Sequence, residues 1–194
     1  MLNRIYRAFL KRALDLVLAL MLALLLLLPM LIIAVAIRAE SEGGAIFKQE
    51  RRGREGRVFV CYKFRTMRRD APSNMPSSIF SERELYVTRV GRFLRRSSLD
   101  ELPQLFNVIR GDMSLVGPRP LICEESEIHD GRQRAGVYAL RPGITGMAQI
   151  GGRNSLDDRE KLEKDTYYLH NLRPSLDAKI LFSTIACVIK REGS

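Results

Sequence analysis

The sequence predicts an α+β chain, mainly helical, with a small β-hairpin and an N-terminal apolar segment broken by a proline. Three observations lead there. Residues 16–37 hold no charged side chain, and about 20 residues is what a helix needs to cross a bilayer. Two β-prone runs flank a turn bearing Gly53 and Gly56, as in a hairpin. Most of the other apolar-patterned stretches have helical spacing. At 194 residues the chain has room for one membrane element and one compact domain, divided as residues 1–38 and 39–194.

The composition narrows the function. A net charge of +10 attracts phosphates, whether of lipid headgroups, nucleotides or nucleic acid. Three widely spaced cysteines, Cys61, Cys123 and Cys187, suggest neither a disulfide framework nor a metal knuckle, and so a reducing compartment. His129 and His170 are far apart in sequence, which argues against a His-rich metal site or a Ser/His/Asp triad. Both read as surface or internally satisfied histidines.

In the apolar segment, Pro29 removes one helical hydrogen bond and bends the helix. Arg4, Arg7, Lys11 and Arg12 precede the segment, and Arg38, Lys48, Arg51, Arg52, Arg54 and Arg57 follow it. Short basic flanks stay cytoplasmic, so a helix that enters and leaves on one face suits both ends. A single crossing with a tolerated proline is the alternative at this point.

Ala45-Ile46-Phe47-Lys48-Gln49-Glu50 and Val58-Phe59-Val60-Cys61-Tyr62-Lys63-Phe64 are the hairpin strands. Alternation past the second places Lys63, Arg65 and Met67 on one face, which also suits a solvated edge strand guarded by charge. Residues 70–78, polar and proline-bearing, read as a mobile loop. Residues 84–96 read as a helix with Val87, Val90, Phe93 and Leu94 on its apolar face.

Ser98-Leu99-Asp100-Glu101 matches a capping box, while Pro103 prefers a first helical position. On either reading Asp100 and Glu101 lie at a helix N-terminus, where the dipole and nearby arginines favour ionised carboxylates. An ionised aspartate is able to attack phosphorus; capping alone is the competing role. Gly117-Pro118-Arg119-Pro120 presents one guanidinium on a stiff loop suited to gripping phosphate. Arg141-Pro142-Gly143-Ile144-Thr145-Gly146 and Gly151-Gly152-Arg153-Asn154 repeat glycine and proline around an arginine. Asn154 or Ser155 is placed to cap a helix through about His170, with Asp165 near Tyr167 and Tyr168. Residues 176–189 form a last apolar-rich helix, in the core or amphipathic at the bilayer interface.

These pieces, in order, resemble the bacterial sugar transferases known as monotopic polyprenyl-phosphate phosphoglycosyltransferases. The likeness runs through the proline-broken segment, Phe47-x-Gln49-x-Arg51-x-Gly53, Lys63-Phe64-Arg65-Thr66-Met67, Arg95 through Pro120, the two glycine-rich arginine motifs, and Asp165-x-Tyr167-Tyr168. It covers nearly the whole chain and implies the minimal catalytic form. It also implies a re-entrant membrane helix broken at Pro29 and a catalytic domain at the cytoplasmic face of the bacterial inner membrane.

The resemblance further implies that Asp100 is the nucleophile on a UDP-sugar, releasing UMP, and that Glu101 holds Mg2+. Undecaprenyl phosphate then takes the phosphosugar. Lys63, Arg95, Arg119 and Arg153 would neutralise phosphates, with Asp165 in support. The implied partners are the UDP-sugar, the polyprenyl phosphate and a bilayer with anionic lipid, without nucleic acid, and a homodimer is left open. Leu28 precedes the membrane proline where the family often has serine, and Phe106 and Met147 stand where many members carry tryptophan. A basic module anchored on anionic lipid or nucleic acid would explain the charge and the anchor, but not the acidic pair among arginine loops. The missing Gly-x-x-x-x-Gly-Lys-Ser/Thr loop and Asp-x-Asp triplet disfavour a P-loop enzyme and a metal-dependent glycosyltransferase.

Overall fold

The computed structural model describes residues 5–71, 85–152 and 156–190. A π-helical turn, Tyr6–Leu10, leads into α1 (Lys11–Leu25) and α2 (Leu27–Glu40). Next come β1 (Ile46–Arg52), β2 (Val58–Phe64), α3 (Arg89–Ser97), a 3-10 turn at Leu99–Glu101 and α4 (Gln104–Arg110). The chain continues through β3 (Ser114–Val116), β4 (Leu121–Ile122), α5 (Ser126–Arg134), β5 (Gly143–Thr145), α6 (Met147–Ile150), α7 (Asp158–Asn171) and α8 (Pro174–Lys190). The chain is mainly helical with small sheets.

Among the described residues no single helix is long and apolar enough to cross a membrane; α1 and α2 together are, but they meet at a 60° bend. The break falls at Leu26 (φ −94°, ψ 6°), three residues before Pro29. Proline lacks the N–H that would bond the carbonyl four residues back, and its ring crowds that carbonyl. The helix therefore yields in the turn before Pro29, which sits in the first turn of α2.

The hairpin forms as its sequence predicts, antiparallel, with Gln49 opposite Cys61 and Arg51 opposite Phe59. The short strand β4 adds to β1, giving the order β2-β1-β4. Although β2 is an edge strand, Asn107 on α4 covers part of its main chain. Its amide donates to Val60 O at 2.7 Å and accepts from Tyr62 N at 3.0 Å. That edge is therefore covered by a helix, not solvated behind charge. The strand stops at Phe64, so the expected alternation through Arg65 and Met67 is not realised. Arg65 instead donates to the Ser41 and Glu42 carbonyls beyond α2.

Other boundaries move for local reasons. The helix expected over residues 84–96 begins at Arg89, where the Thr88 hydroxyl accepts from Gly91 N and Glu40 accepts from the N–H groups of Arg89 and Val90. Leu94 is buried, whereas Phe93 is exposed, so only part of the predicted apolar face is used. Ser98 makes no side-chain cap; its φ of 56° puts it in the left-handed region and it turns the chain out of α3. Asp157 caps α7, in a capping box with Glu160. Asn154 and Ser155 lie outside the described residues, as does most of the expected mobile loop.

One apolar core joins α1, α4, β3, α7 and α8 through Ala19, Leu105, Val108, Met113, Leu115, Tyr168 and Ile180. Polar ties fix α1 to it. Buried Asp15 accepts from Ser114 Oγ at 2.7 Å and Leu115 N at 3.1 Å. Arg12 donates to the Val108 and Ile109 carbonyls at the end of α4. Lys11, Tyr6 and Tyr168 all meet Asp177 on α8. In α8, Leu176 and Ile180 face this core while Phe182 and Ile185 are exposed.

Candidate active site

Asp100 and Glu101 occupy the 3-10 turn between α3 and α4. Glu101 is buried, its Oε1 3.0 Å from Lys63 Nζ and 3.4 Å from Arg119 Nη1. Lys63 arrives from β2 on the face that also carries Cys61, and strand pairing puts Arg51 on that face too. Arg51, Lys63, Glu101, Gln104 and Arg119 line one pocket with the Cys61 thiol at its wall.

Arg95 is delivered by a close approach. A methyl group at Gly91 would lie 2.0 Å from the Thr66 carbonyl oxygen, so glycine alone lets α3 pack on this segment. Arg95 Nε then donates to Thr66 Oγ1 at 3.0 Å. The Arg119 loop is packed as tightly, since a Cβ on Gly117 would meet the Arg141 carbonyl at 2.4 Å.

The electrostatics correct one expectation. Burial pushes the Asp100 carboxyl above its ordinary value and Glu101 pushes the same way, against the pull of Lys63, Arg95 and Arg119. Desolvation thus outweighs the arginines that were expected to favour ionisation. Burial also lowers the Arg51 guanidinium, with Arg119 adding to the effect, and raises the Cys61 thiol. The site is a partly dry pocket with more cations than carboxylates, the field a polyphosphate needs.

Lys63, Arg95, Asp100, Glu101 and Arg119 are thus brought together. Arg153 lies outside the described residues. Asp165 is not in the pocket but is buried behind it, paired with Arg132. Arg141 also faces elsewhere, donating to the Gly111 carbonyl at 2.9 Å, while Gly143–Thr145 is a strand parallel to β3 whose Gly143 and Ile144 line the pocket wall. His129 is internally satisfied, between the Tyr138 hydroxyl and the Ile122 carbonyl.

Sequence reasoning missed Arg51 and Arg132. Arg51 had a signal, since alternation in β1 aligns it with Gln49 and Phe47. Nothing local marked Arg132, whose partners are 13 and 33 residues away.

Among the described residues no group of three or more His, Cys, Asp and Glu side chains gathers as a metal cage. Asp100 and Glu101 do offer hard carboxylate oxygens, which Mg2+ takes one or two at a time alongside water and substrate phosphates. The residues fit that ion in company with a phosphate ligand.

The fold thus sets an acidic pair among basic side chains, in a chain that also carries a bent apolar helix pair. The family profile described as bacterial sugar transferase matches residues 6–191, and the chain belongs to that family. It is 41% identical over 186 residues to an uncharacterised sugar transferase of Bacillus subtilis, covering 95% of this chain and 89% of that one. It is 39% identical to the UDP-glucose:undecaprenyl-phosphate glucose-1-phosphate transferase of Caulobacter vibrioides, covering 95% of this chain and 71% of that one. It is 37% identical to the undecaprenyl-phosphate galactose phosphotransferase of Salmonella typhimurium, covering 96% of this chain but 42% of that longer protein. Several relatives are long in this way, and the chain spans less than half of each.

Proposed function

We propose that this chain moves a sugar-1-phosphate from a UDP-sugar to a polyprenyl phosphate, releasing UMP, through a phosphosugar held covalently on Asp100. The observation that carries the reading is the pair Asp100 and Glu101 enclosed by Lys63, Arg95 and Arg119 in a member of the sugar transferase family. The activities named for the Caulobacter and Salmonella relatives support undecaprenyl phosphate as acceptor. Because those names differ in the sugar, the likeness does not select one.

In the first half-reaction an Asp100 carboxylate oxygen attacks the sugar-bearing β-phosphorus. An Asp–O–P bond forms, the P–O bond to the α-phosphate breaks, and UMP leaves with that electron pair. In the second, a lipid phosphate oxygen attacks the same phosphorus and the Asp–O–P bond breaks, leaving the lipid-linked diphosphosugar. Splitting the transfer lets a soluble and a membrane-bound substrate use one site in turn. Lys63, Arg95 and Arg119, with Arg51 beside them, hold phosphate oxygens and neutralise charge as the bonds exchange. Glu101, with Asp100, would hold Mg2+, which supplies charge neutralisation on the diphosphate when bound.

On this reading α1 and α2 act as a re-entrant membrane helix and the rest of the chain works at the cytoplasmic face of the bacterial inner membrane. The 60° bend between α1 and α2 and the exposed Leu24, Leu25, Leu28, Leu31 and Val35 around it support this, since apolar surface of that extent needs a lipid partner. Exposed Phe182 and Ile185 on α8 suit the same interface.

The test is UMP release by detergent-purified protein given Mg2+, undecaprenyl phosphate and a panel of UDP-sugars. Release from one sugar, absent in Asp100→Asn, supports the reading and names the donor. Folded protein that releases no UMP from any donor refutes it in favour of an anchored basic binding module.

A further inference from the structure

The Arg119 loop is gripped from behind by three side chains that the chemistry above does not use in this role. Arg132 on α5 is 3% exposed and donates Nη1 to the Arg119 carbonyl at 2.8 Å. The same guanidinium binds Asp165 on α7, itself 1% exposed, through Nε at 3.0 Å and through Nη2. Arg51 donates to the next carbonyl, Pro120 O, at 3.2 Å, and His129 Nε2 meets Ile122 O at 2.7 Å. Each grip is on main chain; Arg51 also lines the pocket, whereas Arg132 and His129 hold the loop and the strand after it from outside the pocket lining.

We infer that Arg132, oriented by Asp165, is a positioning residue for the transfer reaction, acting through the Arg119 carbonyl to aim the Arg119 guanidinium at Glu101 and the donor phosphates. Pro118 and Pro120 stiffen the loop on both sides of Arg119, so displacing its carbonyl also displaces its side chain. A buried guanidinium that merely balanced Asp165 would not need its third nitrogen on this carbonyl. Arginine suits the task because its planar fork donates in two directions at once, whereas a lysine ammonium has no such fixed geometry.

The inference rests on the proposed transfer, and its test separates the two. UMP release is measured against UDP-sugar concentration for wild type, Arg119→Ala, the paired replacement Arg132→Met with Asp165→Leu, and all three changes together. The paired replacement removes both charges, so neither is left buried and alone. Arg132→Lys is run alongside, and thermal unfolding establishes that each variant is folded.

The paired replacement is expected to lower kcat/KM by about 10- to 100-fold with the same division between KM and kcat as Arg119→Ala. Once Arg119 is already alanine, it is expected to cost less than about twofold more. Arg132→Lys is expected to fall between wild type and the paired replacement, and it decides the matter should the latter not fold. Losses that multiply with Arg119→Ala, or a division between KM and kcat unlike that of Arg119→Ala, would overturn the inference while leaving the transfer reaction standing. A wild type inert toward every UDP-sugar would overturn both.

Discussion

Replacing Asp15 tests how the bent helix pair is fastened to the rest of the molecule. Its carboxylate takes the Leu115 N–H at 3.1 Å and the Ser114 hydroxyl at 2.7 Å, where α1 crosses β3. In Asp15→Ala the hydroxyl still reaches the Val116 carbonyl, 2.9 Å away, but the buried Leu115 N–H loses its partner. An orphaned buried donor costs about 1–3 kcal/mol. For a protein of this size, each kcal/mol lowers Tm by about 2–4 °C, which gives a fall of about 2–12 °C. Asp15→Asn keeps an acceptor for Leu115, though the group facing Ser114 becomes a donor and the Lys11 ion pair at 3.8 Å is lost, so its fall is expected to be smaller than that of alanine. Thermal unfolding in one detergent, with Ser114→Ala as a further control, measures both. An Asp15→Ala protein within about 1 °C of wild type, or an Asn variant worse than Ala, would refute the assigned role.

Asp100→Asn is expected to abolish UMP release and, in EDTA, to raise Tm. Burial raises the folded-state pKa of this group, so its stabilising contribution is present at low pH and lost as pH rises through that value; removing the charge restores it at neutral pH. A lower Tm for the variant would contradict the sign. His129 is shifted the other way, held below its ordinary value mainly by burial, so it contributes stability above the unfolded histidine pKa that is lost on acidification. His129→Gln should therefore show less loss of Tm than wild type between pH 7 and pH 5. Glu40→Ala removes the acceptor for two N–H groups at the start of α3 and should cost about 1 kcal/mol, as other caps do, visible as faster amide exchange at Arg89 and Val90. Pro29→Leu should straighten the α1–α2 break, read as new labelling from outside the cell of a cysteine placed at position 3.

Much of the candidate site was legible because its residues lie close together in the sequence. Asp100 and Glu101 are adjacent, Arg95 precedes them by little more than one turn, and Arg119 is stiffened by its own prolines, so motif reading found them without the fold. The hairpin was legible for the same reason, its pairing following from alternation and the Gly53 turn. Expectations failed where a distant group outbid the local one. Ser98 leaves its capping box because the chain must turn there to present the acidic pair. Thr88, joined by Glu40 from across the bend, starts α3 later than its apolar pattern suggests. Phe93 stays exposed although its spacing matches a buried face, because the core on that side consists of Leu94, Phe64, Met30 and Ile37.

The sequence by itself determined the helical and hairpin elements, the proline-weakened apolar segment, the basic charge and the acidic pair with its neighbouring arginines, since each depends on residues close in the chain. Only the tertiary structure decided that burial outweighs the cations at Asp100, that Arg51 joins the pocket while Arg141 turns from it, and that Asp165 pairs with Arg132. Those outcomes depend on desolvation and on partners tens of residues away, and both arise only when the chain has packed.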